Sequence, residues 1–265
     1  MDFEYIARHW YAHWYESAET WTTDTEFLLH ILKEQGILHG ARLLEIACGG
    51  GRIAIPLAQA GYDVTGFDGD AHMLINCYRK ARGIPNLRCY QMKAEAGDWG
   101  EGFDVVVFAG NLLINIESDM DYRESQKLFI GKAAQALKPG GHLFLDFDLH
   151  FDPASVFHNP NGHGENEYTD DMGTVGRSCF YGSIYDSVTQ ICAGASHTEF
   201  TTNNSERFIV PRLMRKHIPT QKQVYEWIRG AGLEIEAAYR NFTDEPLPEP
   251  LTEGTFRATI WAMKP

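Results

Sequence analysis

The ten residues from Leu43 to Arg52 constrain this chain most. An apolar run, Leu43-Leu44-Glu45-Ile46-Ala47-Cys48, leads into Gly49, Gly50 and Gly51, and a helix-compatible segment follows from Ile53. A strand, a glycine loop and a helix in that order form a cradle for a nucleotide or nucleoside. Glycine lets the backbone approach a ligand closely and adopt turns closed to other residues. The helix behind the loop turns its first N–H groups toward whatever sits there.

The chain continues in the same grammar. Apolar strands are predicted at 43–47, 63–67, 87–92, 104–109 and 142–147, with helices at 53–60, 71–82 and 124–137. Val105-Val106-Val107-Phe108 is apolar on both faces, as a buried parallel strand requires. Pro139-Gly140-Gly141 is expected to stop the helix before the fifth strand. Single helices between strands imply right-handed crossovers and a parallel sheet covered on both faces. The pattern changes after Asp148. Short β-prone runs at 174–181, 184–191, 197–202 and 207–216 read as an antiparallel meander or cover. A helix at 221–230 follows, with Thr220 and Gln223 in capping-box spacing, and then strands at 233–239 and 255–263. The first 35 residues read as one or two aromatic-rich helices.

Composition narrows the function. The net charge of −13 over 265 residues disfavours nonspecific nucleic-acid binding and docking on an anionic membrane. A handler of small molecules is the default, and the sequence leaves self-association into a homo-oligomer open. Cys48, Cys77, Cys89, Cys179 and Cys192 show no C-x-x-C spacing, so reduced thiols, no metal site and a cytoplasmic location are expected. No signal peptide and no membrane-length apolar stretch is legible.

Gly49, Gly51 and Ala54 give G-x-G-x-x-A, a pattern shared by several nucleotide folds. Two acids sharpen it. Glu45, on the strand before the loop, can accept loop N–H groups or face a cationic ligand, and it would repel a dinucleotide pyrophosphate. Asp68, ending the second strand, can accept both hydroxyls of a ribose. The plainer alternatives are a local backbone pairing for Glu45 and a helix N-cap for Asp68.

Taken together these segments resemble the class I S-adenosylmethionine-dependent methyltransferases of small-molecule type. Residues 45–51 resemble that family's first motif, residues 64–73 its ribose-binding motif, residues 103–110 its fourth-strand motif, and residues 136–141 the loop before its fifth strand. The resemblance implies a Rossmann-like, seven-stranded, mostly parallel sheet with an antiparallel last strand, plus an inserted antiparallel β cover. It implies three parts: an N-terminal helical cap at 1–40, a cofactor-binding domain at 41–149 and 218–265, and a β-rich acceptor-site insert at 150–217. The implied cofactor is S-adenosyl-L-methionine, leaving as S-adenosyl-L-homocysteine. Gly49 and Gly51 would approach its methionine part, Asp68 its ribose, and Gly69 and Met73 its adenine. Ala109 to Asn111 would line the side of the reacting methyl. Lys93 falls where the family often has an acid for the adenine amine, so Glu95 or the backbone at Ala94 would take that role. Ala47 stands where glycine is commoner, and an extended backbone would tolerate its methyl group. Tyr11 and Tyr15 resemble a cofactor-capping helix.

The expected reaction is methyl transfer to a small-molecule nitrogen or oxygen. Tyr11, Tyr15, Asn115 and His217 are candidates to position or deprotonate the acceptor, with His9, His13, His150, His197 and Tyr181 behind them. Arg207, Arg212, Arg215, Lys216 and His217 form a basic cluster that reads as an acceptor-anion site or as a charged strand edge. The N-terminal aromatics read equally as an acceptor pocket or a core stripe. The alternatives to the methyltransferase reading are an NAD(P)-dependent oxidoreductase and a non-catalytic S-adenosylmethionine-binding protein.

Overall fold

The structure is a computed structural model that describes residues 2–116 and 118–265, with only the backbone of 163–165. Its elements in chain order are α1 (Phe3–Ala18), α2 (Thr23–Glu34), β1 (Arg42–Ile46), α3 (Ala54–Gln59), β2 (Asp63–Asp68), α4 (Ala71–Lys80), β3 (Leu87–Gln91) and β4 (Phe103–Phe108). A single 3-10 turn (Leu112–Ile114) precedes α5 (Tyr122–Ala136), β5 (Leu137–Asp148), α6 (Pro153–Phe157), β6 (His163–Thr169), β7 (Val175–Asp186), β8 (Ile191–Thr201) and β9 (Arg207–His217). The chain closes with α7 (Gln221–Gly230), β10 (Glu234–Arg240) and β11 (Arg257–Met263).

Seven strands form one sheet in the order β10-β11-β5-β4-β1-β2-β3. The pairs β1–β2, β2–β3, β1–β4 and β4–β5 are parallel, and β11 runs antiparallel to both β5 and β10. The expected seven-stranded sheet with an antiparallel last strand is therefore present. Alternate strand residues explain why both faces are covered. Leu43, Val105 and Val107 pack with Leu28 of α2 and Leu57 of α3. Leu44, Val106 and Phe108 pack with Phe129 of α5 and Val224 of α7. Strand order reverses between β1 and β4, and open α/β sheets place ligands at such a reversal, beyond the carboxyl ends of the strands.

The chain divides into two compact units: residues 21–151 with 219–265, and residues 1–20 with 152–218. The N-terminal stretch 1–40 thus splits, α1 belonging to the second unit and α2 to the first. In the second unit β6-β7-β8-β9 form an antiparallel sheet, the expected β-rich insert. Trp10 of α1 is fully buried there, edge-on to Phe200, with its indole N–H donating to the Tyr168 carbonyl at 2.9 Å. A Cβ at position 176 would run into the Trp10 ring, so Gly176 makes the seat for it.

Several boundaries differ from the pattern-based reading. The strand predicted at 142–147 begins at Leu137, directly after α5. Pro139-Gly140-Gly141 are an irregularity inside it, where the pairing with β4 slips between Phe103 and Val105. A Cβ on Gly141 would lie 2.8 Å from the Phe103 carbonyl oxygen, so the close strand approach demands glycine. The runs at 174–181 and 184–191 are not two strands. β7 continues through Gly182, at a register shift, to Asp186, and 187–190 form the turn. β6 has no sequence signature because His163-Gly-Glu-Asn-Glu-Tyr-Thr169 shows no apolar alternation, and α6 has none because it is only five residues long. The Thr220–Gln223 capping box forms as expected. All five cysteines are free thiols. Among the described residues no helix is long and apolar enough to cross a membrane.

Candidate functional site

Glycines and two acids shape the loop after β1. The Cys48 N–H donates to the Phe67 carbonyl at 3.0 Å, and the Gly51 N–H donates to the Cys48 carbonyl at 2.9 Å, which folds the loop back. Ala47 takes a φ of +56°, so the extended backbone expected there is wrong. The residue sits in the left-handed region that glycine enters freely, at a cost of about 1–2 kcal/mol for an L side chain. Ala47→Gly is expected to raise stability by about 0.5–1 kcal/mol after the extra chain entropy of glycine is subtracted. Urea unfolding checks this, and unchanged or lower stability would show that the left-handed alanine carries no strain. Gly49 and Gly51 are also left-handed, at φ of 52° and 80°. A Cβ on Gly51 would lie 2.8 Å from the Cys77 sulfur.

Asp68 closes the loop from the next strand. One carboxylate oxygen accepts from the Gly49 N–H at 2.9 Å, the other from the Asp70 N–H at 2.8 Å. The helix cap is a different residue: Asp70 accepts from the N–H groups of His72 and Met73 and starts α4. Burial holds the Asp68 carboxyl above its ordinary value, opposed in part by the backbone amides around it. A carboxylate has about four lone-pair sites, so two remain for a further donor pair. Glu45 is buried, and its Oε2 has no hydrogen-bond partner. Burial pushes its carboxyl well above the usual carboxylate range, opposed by the Arg52 guanidinium. An orphaned buried carboxylate oxygen beneath a glycine loop suits a cationic ligand group. A Cβ on Gly69 would meet nothing within 4 Å, so open space borders the end of β2.

The remaining positions expected around the cofactor are held by neighbours that sequence reading missed. The Lys132 ammonium donates to the carbonyls of Ala94, Glu95 and Gly97 at 2.6, 3.0 and 2.7 Å and fixes that turn. The terminal methyl of Met73 would lie 3.0 Å from a Cβ on Gly49. Asn111, left-handed at φ 64°, donates its amide to Asp148 at 2.5 Å and accepts from the Asp148 N–H at 2.9 Å. The N–H groups of Gly110 and Asn111 donate to Asp146, which is fully buried. Arg257 reaches Asp146 at 3.2 Å and Asp148 at 3.0 Å. Burial raises the Asp146 carboxyl to about 7, with Arg257 the largest opposing influence. Arg52 grips the buried Asp24 with two hydrogen bonds of 2.6 and 2.7 Å and lies over the Trp21 ring at 4.7 Å. One signal could have found the β5 acids: Asp146 and Asp148 stand at the carboxyl end of a parallel strand, where such sheets gather ligand groups.

Of the proposed acceptor residues, Asn115 lies after the 3-10 turn of the first unit, donating to the Asn111 carbonyl at 3.1 Å. Tyr11, Tyr15 and His217 belong to the second unit. The Tyr11 hydroxyl is bonded to Thr198 at 2.7 Å. Tyr15 is exposed on α1. His217 is buried at the end of β9 and bonded to Gln190 at 3.1 Å. The basic cluster runs along β9, an edge strand, as the charged-edge reading expects. Of the N-terminal aromatics, Trp10 is buried with Tyr11 and Trp14 packed against its cluster, whereas Tyr5 and Tyr15 are exposed.

Residues 43–141 match the family model of a methyltransferase domain. The chain is 27% identical over 226 residues to the Bacillus subtilis (strain 168) protein YqeM, which is named as a methyltransferase, covering 83% of this chain and 82% of that one. It is 30% identical over 167 residues to the glycine/sarcosine N-methyltransferase of Aphanothece halophytica, covering 57% of this chain and 58% of that one. A solved S-adenosylmethionine-dependent methyltransferase from Clostridium acetobutylicum ATCC 824 shares the fold, with a TM-score of 0.72 at 15% identity, over 96% of this chain and 97% of that one. The domain match, the strand order and the glycine loop closed by Asp68 agree: the chain carries a methyltransferase domain at residues 43–141 and has the fold of the S-adenosylmethionine-dependent methyltransferases.

Proposed function

We propose that this enzyme methylates a small molecule at nitrogen or oxygen, and that the loop after β1 with Asp68 holds the cofactor. The observation that carries the binding reading is Asp68: its carboxylate is fixed by two loop amides and retains acceptor sites for two ribose hydroxyls. Glu45 offers its unpartnered oxygen toward the methionine ammonium. Gly49, Gly51 and Ala109 line the methionine part, Gly69 and Met73 the adenine, and the turn at Ala94 and Glu95 faces the adenine amine. Asn111 acts through Asp148 and its own backbone, since its side-chain amide is already committed. The glycine/sarcosine N-methyltransferase relative supports an amine of a small molecule as acceptor. The insert at 150–217 is the proposed source of acceptor specificity.

The bound cofactor supplies an already activated sulfonium methyl. The protein's task is therefore to hold donor and acceptor in line and to keep water out. A base is needed only where the acceptor arrives protonated. Thermal unfolding should shift upward with S-adenosylmethionine or S-adenosylhomocysteine and stay unchanged with NAD. Labelled donor should then pass its methyl to members of a panel of small amines and hydroxy compounds. Label found only in added protein or RNA would sink the small-molecule reading, and a shift with NAD alone would sink the cofactor assignment.

A further inference from the structure

His9 and His13 stand one turn apart on α1, the spacing that puts two imidazoles on one helix face. Their rings lie 4.4 Å apart. Asp171 faces them from the turn between β6 and β7. That turn is fixed by Asp170, which accepts from the N–H groups of Met172 and Thr174. His9 Nε2 lies 2.7 Å from Asp171 Oδ1, and His13 Nε2 lies 3.6 Å from the same oxygen. The three donor atoms all fall within 4.8 Å of one another. His13 Nε2 is shielded from solvent and makes no hydrogen bond. An ordinary ion pair between His9 and Asp171 accounts for the first contact and leaves that second nitrogen unexplained.

A tetrahedral zinc site with bonds near 2.0–2.1 Å separates its donor atoms by about 3.3 Å. The two histidine–Asp171 distances, 2.7 and 3.6 Å, bracket that spacing, and the third pair of donor atoms lies within 4.8 Å. The frame is already rigid. Trp10, beside His9, is buried and bonded to the Tyr168 carbonyl, three residues before Asp171. All of these residues belong to one compact unit.

We propose that His9, His13 and Asp171 bind one divalent transition-metal ion, Zn2+ being the best fit, with the remaining position left to water. Two imidazoles and one carboxylate suit zinc, cobalt or nickel, whereas magnesium and calcium take oxygen ligands. The ion would tie α1 to the β6–β7 turn.

The test uses the full chain with its thiols reduced. Calorimetric titration with Zn2+ should give one site per chain. His13→Gln and Asp171→Asn should each weaken it by ~30-fold or more. With Co2+ the wild type should show visible d–d bands without a thiolate charge-transfer band. Zn2+ should raise the unfolding midpoint of the wild type and not of His13→Gln. Undiminished affinity in both variants, or a thiolate band, would overturn the proposal. If the variants do not fold, X-ray absorption on the zinc-loaded wild type decides: two imidazoles in the coordination shell support the site, and fewer than two overturn it.

Discussion

Asp68→Ala should weaken S-adenosylmethionine binding by roughly 150-fold. Two hydrogen bonds from ribose hydroxyls to a carboxylate, at about 1.5 kcal/mol each, give about 3 kcal/mol, and each 1.4 kcal/mol is tenfold. The same change frees the N–H groups of Gly49 and Asp70, which now end on this carboxylate. The glycine loop would then lose its anchor, so part of the affinity loss reflects disorder in the free protein. Asp68→Asn separates the two contributions, because its amide oxygen can still accept one loop N–H. Calorimetry with S-adenosylhomocysteine measures the effect, and urea unfolding checks that the fold survives. An affinity within threefold of wild type in a folded Asp68→Ala protein would remove Asp68 from the cofactor site.

Arg257→Met should destabilise the protein by about 3–4 kcal/mol at pH 8 and by clearly less at pH 5.5. Removing one partner of a buried ion pair strands the other charge. The stranded group is Asp146, fully buried and held near 7 even with Arg257 beside it. Its folded value lies above the ordinary carboxylate value of 3.8. The stability tied to this group is therefore fully present below about pH 4 and is lost as pH rises to about 7. At pH 5.5 Asp146 is already protonated in the folded state, so losing the guanidinium leaves no bare charge. At pH 8 it is ionised and stranded. Unfolding midpoints of both proteins at the two pH values supply the comparison. Equal destabilisation at both would show that Asp146 does not titrate as its burial demands. Asp148, the second partner of Arg257, is partly exposed and contributes less to the difference.

Much of the candidate site was legible because its signals are local. The glycine loop, Glu45 before it and Asp68 at the end of β2 lie within 24 residues, and each follows the period of one strand or turn. Other parts were illegible because the sequence does not show where distant segments meet. Asp146 and Arg257 are 111 residues apart and touch only because β11 lies beside β5. Lys132, an ordinary helical lysine in the sequence, becomes the clasp of the 94–97 turn only when α5 packs there. The backbone of Ala47 was misjudged for a related reason. A left-handed φ at alanine is disfavoured locally, and it is held by the closure of the loop onto Phe67 and Asp68.

By itself the sequence determined the alternation of strands and helices, the glycine loop with its two acids, the Thr220 cap and the closing pair of strands. Each rests on side-chain period or backbone freedom over a few residues, which a linear pattern carries in full. Only the tertiary structure decided which unit α1 joins, which buried acids meet Arg52 and Arg257, and that His9 and His13 face Asp171. Those are pairings across long sequence separations. They are selected by the packing of buried surfaces, such as Trp10 against Gly176 and Phe200, and not by any local preference of the residues that end up paired.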